Sequence, residues 1–445
     1  MERLDSSAAD VVIVSAFGRG NWIAMELAGR GWKTTLVDVS ETLGTYAPED
    51  IEGPFGFLEA SDLTPSQKSR LEDEGELVFV PAGMTIWLKE GPIECRGDLN
   101  RLQLEKRGVS VAVDHYLRRL GPSDRDSERE RRALAKKSFR ETWFAHFAHQ
   151  IASPVVRENH EAIGLGAHWP IFAPFSIRQV TAAGLQKGLK NCQSQGVNVK
   201  AKAKVREITF NAGSVESIDI QSEGAGVLRT RSLVWMLSSL EARNCPPSVT
   251  TELFPRGAIE AEWYWARLQF QLEGDLLEDQ LPVHAIVVED PYLPWSHTNA
   301  FVFRKRREPK AIDVWLKLPA HFQSQAGRLA ALTKEVQAIL ERRLPGCKAT
   351  LQTSTDPSMV SRVLRNPIFN EETLEHLYLR RASNLFYCGP EQWEFSDWLG
   401  QYRPQNQLLD RLVKMKAQWD ASDAKAAARA AARELKSQRN EEKSP

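Results

Sequence analysis

The architecture of this 445-residue chain follows from the stretch DVVIVSAFGRGNWIA at residues 10–24 and from TTLVD at residues 34–38. A β-branched apolar run at 10–14 is typical of a buried strand. Helix-compatible residues follow at 21–30, and a second apolar run at 33–37 leads into Asp38. Two parallel strands joined by a crossover helix form a right-handed unit of a sheet that helices cover. The stretch therefore predicts an α/β domain at the start of the chain.

The turn between the first strand and the helix is a candidate phosphate-binding loop. A helix N-terminus beside a tight turn offers main-chain N–H groups and the positive end of the helix dipole to a diphosphate. The Rossmann pattern G-x-G-x-x-G uses three glycines for this purpose, and here those positions hold Ser15, Phe17 and Gly20. Gly18 offers the loop another path, and Asp38 is placed to bind a ribose hydroxyl. A structural turn with Phe17 packed in the core is the alternative.

Composition excludes several classes of function. The chain has 58 basic and 58 acidic residues, so no overall field attracts nucleic acid or an anionic membrane. The charged N-terminus and the lack of a long uncharged run predict a cytoplasmic protein without a spanning helix. Five scattered cysteines predict neither disulfides nor a zinc site. His146 and His149 lie three residues apart without a visible third ligand, so no metal site is predicted.

The middle of the chain differs in character from its start. Strand patterns at 268–272, 284–288, 300–303 and 312–318 are grouped together and precede a helix pattern at 328–344. Such grouping indicates a second, mostly antiparallel domain. Pro404 fits the first turn of a helix that we expect to end near Trp419. The Ala-, Lys-, Arg- and Glu-rich tail at 421–445 is expected to be a frayed helix or disordered.

Four blocks in order resemble the flavin-dependent amine oxidase and phytoene desaturase superfamily. They are the opening unit, the helix and strands at 180–208, the strand at 228–237 followed by two serines, and NLFYCG at 384–389. The resemblance implies that the main chain of Val205 meets the adenine of FAD. It also implies that Gly389 and Glu391 hold the flavin end, although Pro390 separates that glycine from the carboxylate.

The resemblance implies a discontinuous Rossmann-like domain that binds FAD, interleaved with an α+β substrate domain. The first comprises residues 1–75, 165–245 and 375–420, and the second comprises 76–164 and 246–374. The implied function is oxidation or desaturation of a small organic substrate by hydride transfer to flavin. Trp393 and Trp398 would line the substrate cavity, and no residue is assigned as the catalytic base.

The alternative function is that of a flavin-free relative that keeps the fold as a binding or scaffold protein with a protein partner, because a fold does not by itself establish a function. Phe17 favours this alternative. Asp38 and the ordered later blocks favour the enzyme.

Overall fold

The computed structural model describes residues 8–43, 77–82, 84–88, 91–95, 155–156, 175–178, 182–222, 226–257, 260, 263–274, 281–282, 284–289, 298–306, 308–353, 364–370, 379–392 and 402–441. The strands are β1 (Val11–Ser15), β2 (Thr34–Asp38), β3 (Leu77–Ala82), β4 (Met84–Leu88), β5 (Gly91–Cys95), β6 (Val155–Val156), β7 (Phe175–Arg178), β8 (Asn198–Lys200), β9 (Lys204–Asn211), β10 (Ser214–Gln221), β11 (Val227–Arg229), β12 (Leu233–Trp235), β13 (Trp263–Gly274), β14 (His284–Val288), β15 (Ala300–Lys305), β16 (Ala311–Pro319), β17 (Cys347–Leu351), β18 (Leu364–Asn370) and β19 (Leu385–Tyr387). The α-helices are α1 (Asn21–Gly29), α2 (Ala182–Ser194), α3 (Ser239–Ala242), α4 (Pro247–Leu253), α5 (Ala326–Arg343) and α6 (Tyr402–Glu441).

A five-stranded parallel sheet has the order β19-β12-β1-β2-β8. Its central strand β1 pairs with β2 on one side and with β12 on the other, both in parallel. All five side chains of β1 are buried, as are those of β2. Strands covered on both faces need continuous apolar runs rather than alternation, which explains the pattern at 11–14. The predicted strand, helix and strand unit is therefore confirmed.

The strands of the parallel sheet come from separated parts of the chain, and all their carboxyl ends lie at one edge. Helices α2 and α6 both pack against α1. The apolar cluster around the sheet includes Trp235 of β12 and Leu412 of α6. Ligands of open α/β sheets bind at the carboxyl edge, near the point where strand order reverses. Here that point lies between β2 and β12, at the carboxyl end of β1.

A three-stranded antiparallel sheet with the order β11-β10-β9 follows β8 in the chain. Its buried side chains include Val205, Ile208 and Ile218, which belong to the same apolar cluster as the parallel sheet. Because the β9–β10 turn needs left-handed backbone at two successive residues, it places Ala212 at φ +48° beside Gly213 at φ +78°.

A larger sheet is mostly antiparallel, as the strand patterns in the middle of the chain predict. Its order is β5-β4-β14-β15-β16-β13-β18-β6, with β17 also paired to β13. Only the β14–β4 and β18–β6 pairs are parallel among the pairs described. One face packs against α5, whose Leu329, Val336 and Leu340 are buried in a second apolar cluster. The sheet and its helix therefore form an α+β unit.

Helix α6 continues well beyond its predicted end near Trp419 and reaches Glu441. Its first turns bury Leu408 and Leu412, whereas its side chains at 421–429 are exposed. Ala, Lys, Arg and Glu all have high helix propensity, so the polar tail extends the helix without a core of its own. Arg231 pairs with Asp423 at 2.9 Å and stacks on Trp419, which fixes the middle of the helix to the body.

Candidate cofactor site at the carboxyl edge of the parallel sheet

The turn after β1 has left-handed backbone at two successive residues and keeps one of the three pattern glycines, Gly20. Phe17 stands at the second glycine position with φ +56°, and Gly18 follows with φ +73°. Left-handed backbone is unusual for a bulky residue and costs about 1–2 kcal/mol. The Phe17 side chain is only 2% exposed and belongs to the apolar cluster of the parallel sheet. The aromatic ring is thus a packed part of the core.

Main-chain N–H groups in this turn are engaged by the protein itself. Phe17 donates to Ser40 Oγ at 2.6 Å, and Gly20 donates to Ser15 Oγ at 2.8 Å. The N–H groups of Arg19 and Asn21 donate to carbonyl oxygens within the same turn, at 3.2 Å each. A diphosphate bound here would therefore have to compete with four existing hydrogen bonds.

Gly18 is closely packed on the side where a Cβ would stand. A Cβ placed on Gly18 would lie 3.0 Å from Leu185 Cδ2 and 3.3 Å from Asn21 Nδ2. Leu185 belongs to α2, so this helix packs against the turn at Gly18. On that side of Gly18, neighbouring side chains already fill the space.

Gly20 retains the role of the third glycine of the loop. A Cβ on Gly20 would lie 2.8 Å from Ser15 Cβ and 2.9 Å from Leu36 Cδ1. Only a residue without a side chain permits α1 to pack this closely on β1 and β2. Ser15 occupies the first glycine position, and its hydroxyl accepts a hydrogen bond from the Gly20 N–H. This hydrogen bond lies within the turn itself.

Asp38 ends β2 at the predicted ribose position and is buried. Its carboxylate accepts a hydrogen bond from the main chain of Ser40 at 3.2 Å. Burial raises the pKa of Asp38 to about 6, and the hydrogen bonds from Ser40 limit that rise. Ser40 thus links Asp38 to the Phe17 turn, so this carboxylate serves the protein's own structure.

A buried ion pair joins the turn to α3, the short helix that follows β12. Arg19 Nη1 lies 2.6 Å from Glu241 Oε2, and both side chains are less than a tenth exposed. Glu241 also closes a capping box with Ser238 at the start of α3. The guanidinium carbon of Arg19 lies 5.6 Å from the Phe17 ring centre. Sequence reasoning missed the pair because its members are 222 residues apart, although the Ser238-x-x-Glu241 pattern was visible.

The residues after β19 form a second buried hydrogen-bond network at the same edge, centred on Glu391. Glu391 accepts hydrogen bonds from the main chain and the hydroxyl of Ser239, at 2.7 and 2.9 Å. It also accepts one from the Tyr387 hydroxyl. Burial raises the pKa of Glu391, and these hydrogen bonds limit the rise. Burial and the Glu391 charge likewise raise the pKa of Tyr387.

Tyr387 covers Gly389, the residue expected to hold the flavin end. A Cβ placed on Gly389 would collide with the Tyr387 ring and hydroxyl. The structure thus brings the two predicted residues Gly389 and Glu391 to the expected edge but gives them internal partners. Val205 is buried in β9, and its main chain is paired with Ile220 of β10. Trp393, Trp398, His146 and His149 lie outside the described residues.

The residues at this edge do not fit FAD in the position that the glycine loop would define. Four loop donors are engaged, a buried ring stands at the second glycine, and Leu185 closes the space beside Gly18. Buried polar groups require hydrogen-bond partners, and here the chain itself supplies those of the Phe17 and Gly20 N–H groups, Glu241 and Glu391. Among the described residues, the loop donors and the buried charges of this edge are therefore bound within the protein.

No protein-family model matches the sequence, and no curated protein matches it. Among the helices that the structure describes, none combines the length and apolar character that crossing a membrane requires.

Solved structures are similar to this chain in fold. A triple variant of putrescine oxidase with redesigned cofactor binding has a TM-score of 0.54 at 9% identity, over 92% of this chain and 99% of that one. A single-substitution variant of the same oxidase has a TM-score of 0.51 at 10% identity, with the same coverage of both chains. An oxidoreductase from Methanosarcina mazei has a TM-score of 0.54 at 11% identity, over 90% and 99%. The chain thus has the Rossmann-like fold of flavin-dependent oxidoreductases.

Proposed function

We propose that this chain is a flavin-free relative of the flavin-dependent oxidoreductases and works as a binding protein. In this proposal the α/β domain is a scaffold rather than a cofactor site. The observation that carries it is the buried ring of Phe17, held in left-handed backbone at the second glycine position. A cofactor diphosphate needs close approach to the main chain at that residue.

The internal networks support the same proposal. A ligand that binds the native state always stabilises it, but the buried charges at this edge do not depend on a ligand for their partners. Here Arg19 and Glu241 neutralise one another, and Glu391 is satisfied by Ser239 and Tyr387. The α/β domain is therefore expected to fold to full stability without FAD. Its role would then be to hold the α+β unit and the surfaces that bind a small organic molecule or a protein partner.

A second candidate function is that of a FAD-dependent oxidoreductase that oxidises or desaturates an organic substrate. Asp38 lies at the ribose position, and Gly20 keeps the close packing of α1 on β1. The fold likeness also supports it. The flavin would supply the hydride chemistry, and the chain would supply binding and orientation. This candidate requires the Phe17 turn and its donors to rearrange around the cofactor.

Absorption spectroscopy of the purified protein separates the two candidates. A flavin-free protein is colourless, and added FAD changes neither its melting temperature nor the fluorescence of the FAD. Absorption bands near about 370 and 450 nm that are released on denaturation would support the oxidoreductase instead. Saturable stabilisation by added FAD would support it as well, because a ligand that binds the native state raises its stability.

An Asp38→Asn variant is the matched control for FAD binding. In the oxidoreductase, loss of this carboxylate would weaken FAD binding by removing a ribose contact. In the flavin-free protein, the variant changes stability and its pH dependence but no FAD titration.

A further inference from the structure

Helix α6 has an anchored part and an exposed part. The Arg231 guanidinium lies 4.8 Å from the Trp419 ring centre and pairs with Asp423 at 2.9 Å, which holds the helix against the body of the protein. Of the side chains at 424–433, all are exposed except that of Ala430, which is partly buried. This stretch, which we call the arm, is therefore a helical surface that solvent reaches on nearly every side.

The charges of the arm are all positive. Its sequence, AKAAARAAAR, holds three cations and no acidic residue, although the whole chain has 58 residues of each sign. Lys425, Arg429 and Arg433 are four residues apart, so they lie on one face of the helix, about 6 Å apart along its axis. We call these three residues the basic stripe. The positive charge of the arm is thus concentrated in a single line.

The basic stripe is electrostatically unfavourable in the free protein. Its three side chains are exposed, and within the part of the chain that the structure describes none of them has a partner of opposite charge. Like charges four residues apart destabilise a helix, and here two such pairs follow one another. The helix dipole does not offset this repulsion, because its effect is confined to the last turn and Arg433 lies about two turns before Glu441. Negative charge from a partner would remove the repulsion.

The other residues of the arm, all alanines, limit the kind of partner. Helices that lie on a membrane need Trp, Phe or Leu on an apolar face, and the arm has none of them. Single-stranded nucleic acid is held by aromatic side chains next to cations, and the arm has no aromatic residue. Ala426 and Ala432 flank the basic stripe with methyl groups only, so another polypeptide can approach the helix closely. An acidic polypeptide therefore fits this surface best.

We propose that the basic stripe docks an acidic segment of a protein partner. The carboxylates of that segment recur about every 6 Å, as those of glutamates four residues apart on a helix do. Each carboxylate accepts charge-assisted hydrogen bonds from one cation of the stripe. Because the charges are exposed, salt screens the attraction and weakens binding. This inference goes beyond the proposed function and uses no residue of the cofactor edge, so it holds whether or not the α/β domain takes up FAD.

Fluorescence anisotropy with the full-length protein tests the charge specificity at low ionic strength. The probes are a labelled peptide of four EAAA repeats and its uncharged counterpart of four QAAA repeats. The acidic peptide is expected to bind at least about 10-fold more tightly than the uncharged one, and the difference should disappear in high salt. Equal binding of the two peptides, or no binding of the acidic one at millimolar concentration, would overturn the proposal. Tighter binding of a mixed-sequence DNA duplex or of phosphatidylserine vesicles would also overturn it, because the partner would then not be a protein.

Matched variants locate the docking surface. Lys425→Gln should weaken binding of the acidic peptide about 3-fold, since an exposed ion pair contributes modestly. Lys414→Gln is the control, because Lys414 is also an exposed lysine of α6 but precedes the arm. Equal losses from the two variants would exclude the basic stripe. Replacing all three cations of the stripe by Gln should reduce binding to that of the QAAA peptide, while circular dichroism shows no loss of helix, since two like-charge repulsions are removed. FAD in the purified protein would reject the flavin-free function and leave this test unchanged.

Discussion

Replacement of Phe17 by Gly and by Ala tests whether the turn after β1 is both strained and filled. The ring is 2% exposed, so its removal by either substitution should cost about 3–5 kcal/mol in unfolding free energy. The two variants differ in backbone. At φ +56° Ala retains the left-handed strain, whereas Gly relieves it.

The difference in unfolding free energy between the two variants is a more specific prediction than either loss alone. Relief of left-handed strain contributes about 1–2 kcal/mol, and the greater freedom of Gly in the unfolded chain offsets about 0.5–1 kcal/mol of it. Phe17→Gly should therefore be more stable than Phe17→Ala by up to about 1.5 kcal/mol. Ala is normally the more stable of the two inside regular structure. The order of stabilities is thus expected to reverse at this position.

Denaturant unfolding followed by far-ultraviolet circular dichroism and by tryptophan fluorescence measures both effects. Coincidence of the two probes shows that one transition is being compared. The reasoning is refuted if both variants lose less than about 1 kcal/mol, because the ring would then not be packed. It is also refuted if Ala is the more stable replacement, because the backbone would then carry no strain. Added FAD provides a further comparison, since only Phe17→Gly restores a glycine at the second loop position.

Three further predictions concern the same edge of the sheet. The folded-state pKa of Asp38, about 6, exceeds its ordinary value of 3.8, so protonation stabilises the fold as pH falls from 6 towards 4. Asp38→Asn should remove about 2 kcal/mol of that pH dependence in unfolding measured from pH 4 to 7, and identical profiles would contradict the pKa. Arg19→Met should lower the free energy of unfolding by about 3–5 kcal/mol, because Glu241 is left buried without its partner. Adding Glu241→Gln should recover part of that loss. A double variant no more stable than Arg19→Met would argue against the pair. Gly20→Ala should destabilise by about 1–3 kcal/mol through overpacking, whereas Gly29→Ala, with open space around it, should be neutral or stabilising in the same thermal melts.

The local order of elements could be predicted from the sequence, and the partners at the candidate site could not. The β-branched run of β1 and the period-two pattern of β13 are local signals, and both strands form. The Arg19–Glu241 pair depends on tertiary structure across 222 residues, so no window of sequence reveals it. The position of Phe17 at a glycine site was visible, but whether its ring points into a ligand space or the core is decided by packing. The tail was expected to be either a frayed helix or disordered, and it continues α6; the sequence could not decide between the two because an exposed polar pattern gives no core signal, while propensity alone sustains the helix.

Left-handed backbone at a bulky residue is unfavourable, so other interactions must stabilise the Phe17 turn. In a dinucleotide-binding loop, glycines remove that cost and the ligand diphosphate accepts the main-chain N–H groups. In this chain the ring gains burial, Ser40 accepts the Phe17 N–H, and Ser15 accepts the Gly20 N–H. The two hydroxyl groups thus take the hydrogen bonds that a diphosphate would otherwise take. The turn is held by the chain's own side chains, and under the proposed function this is the physical reason that the fold needs no flavin to persist.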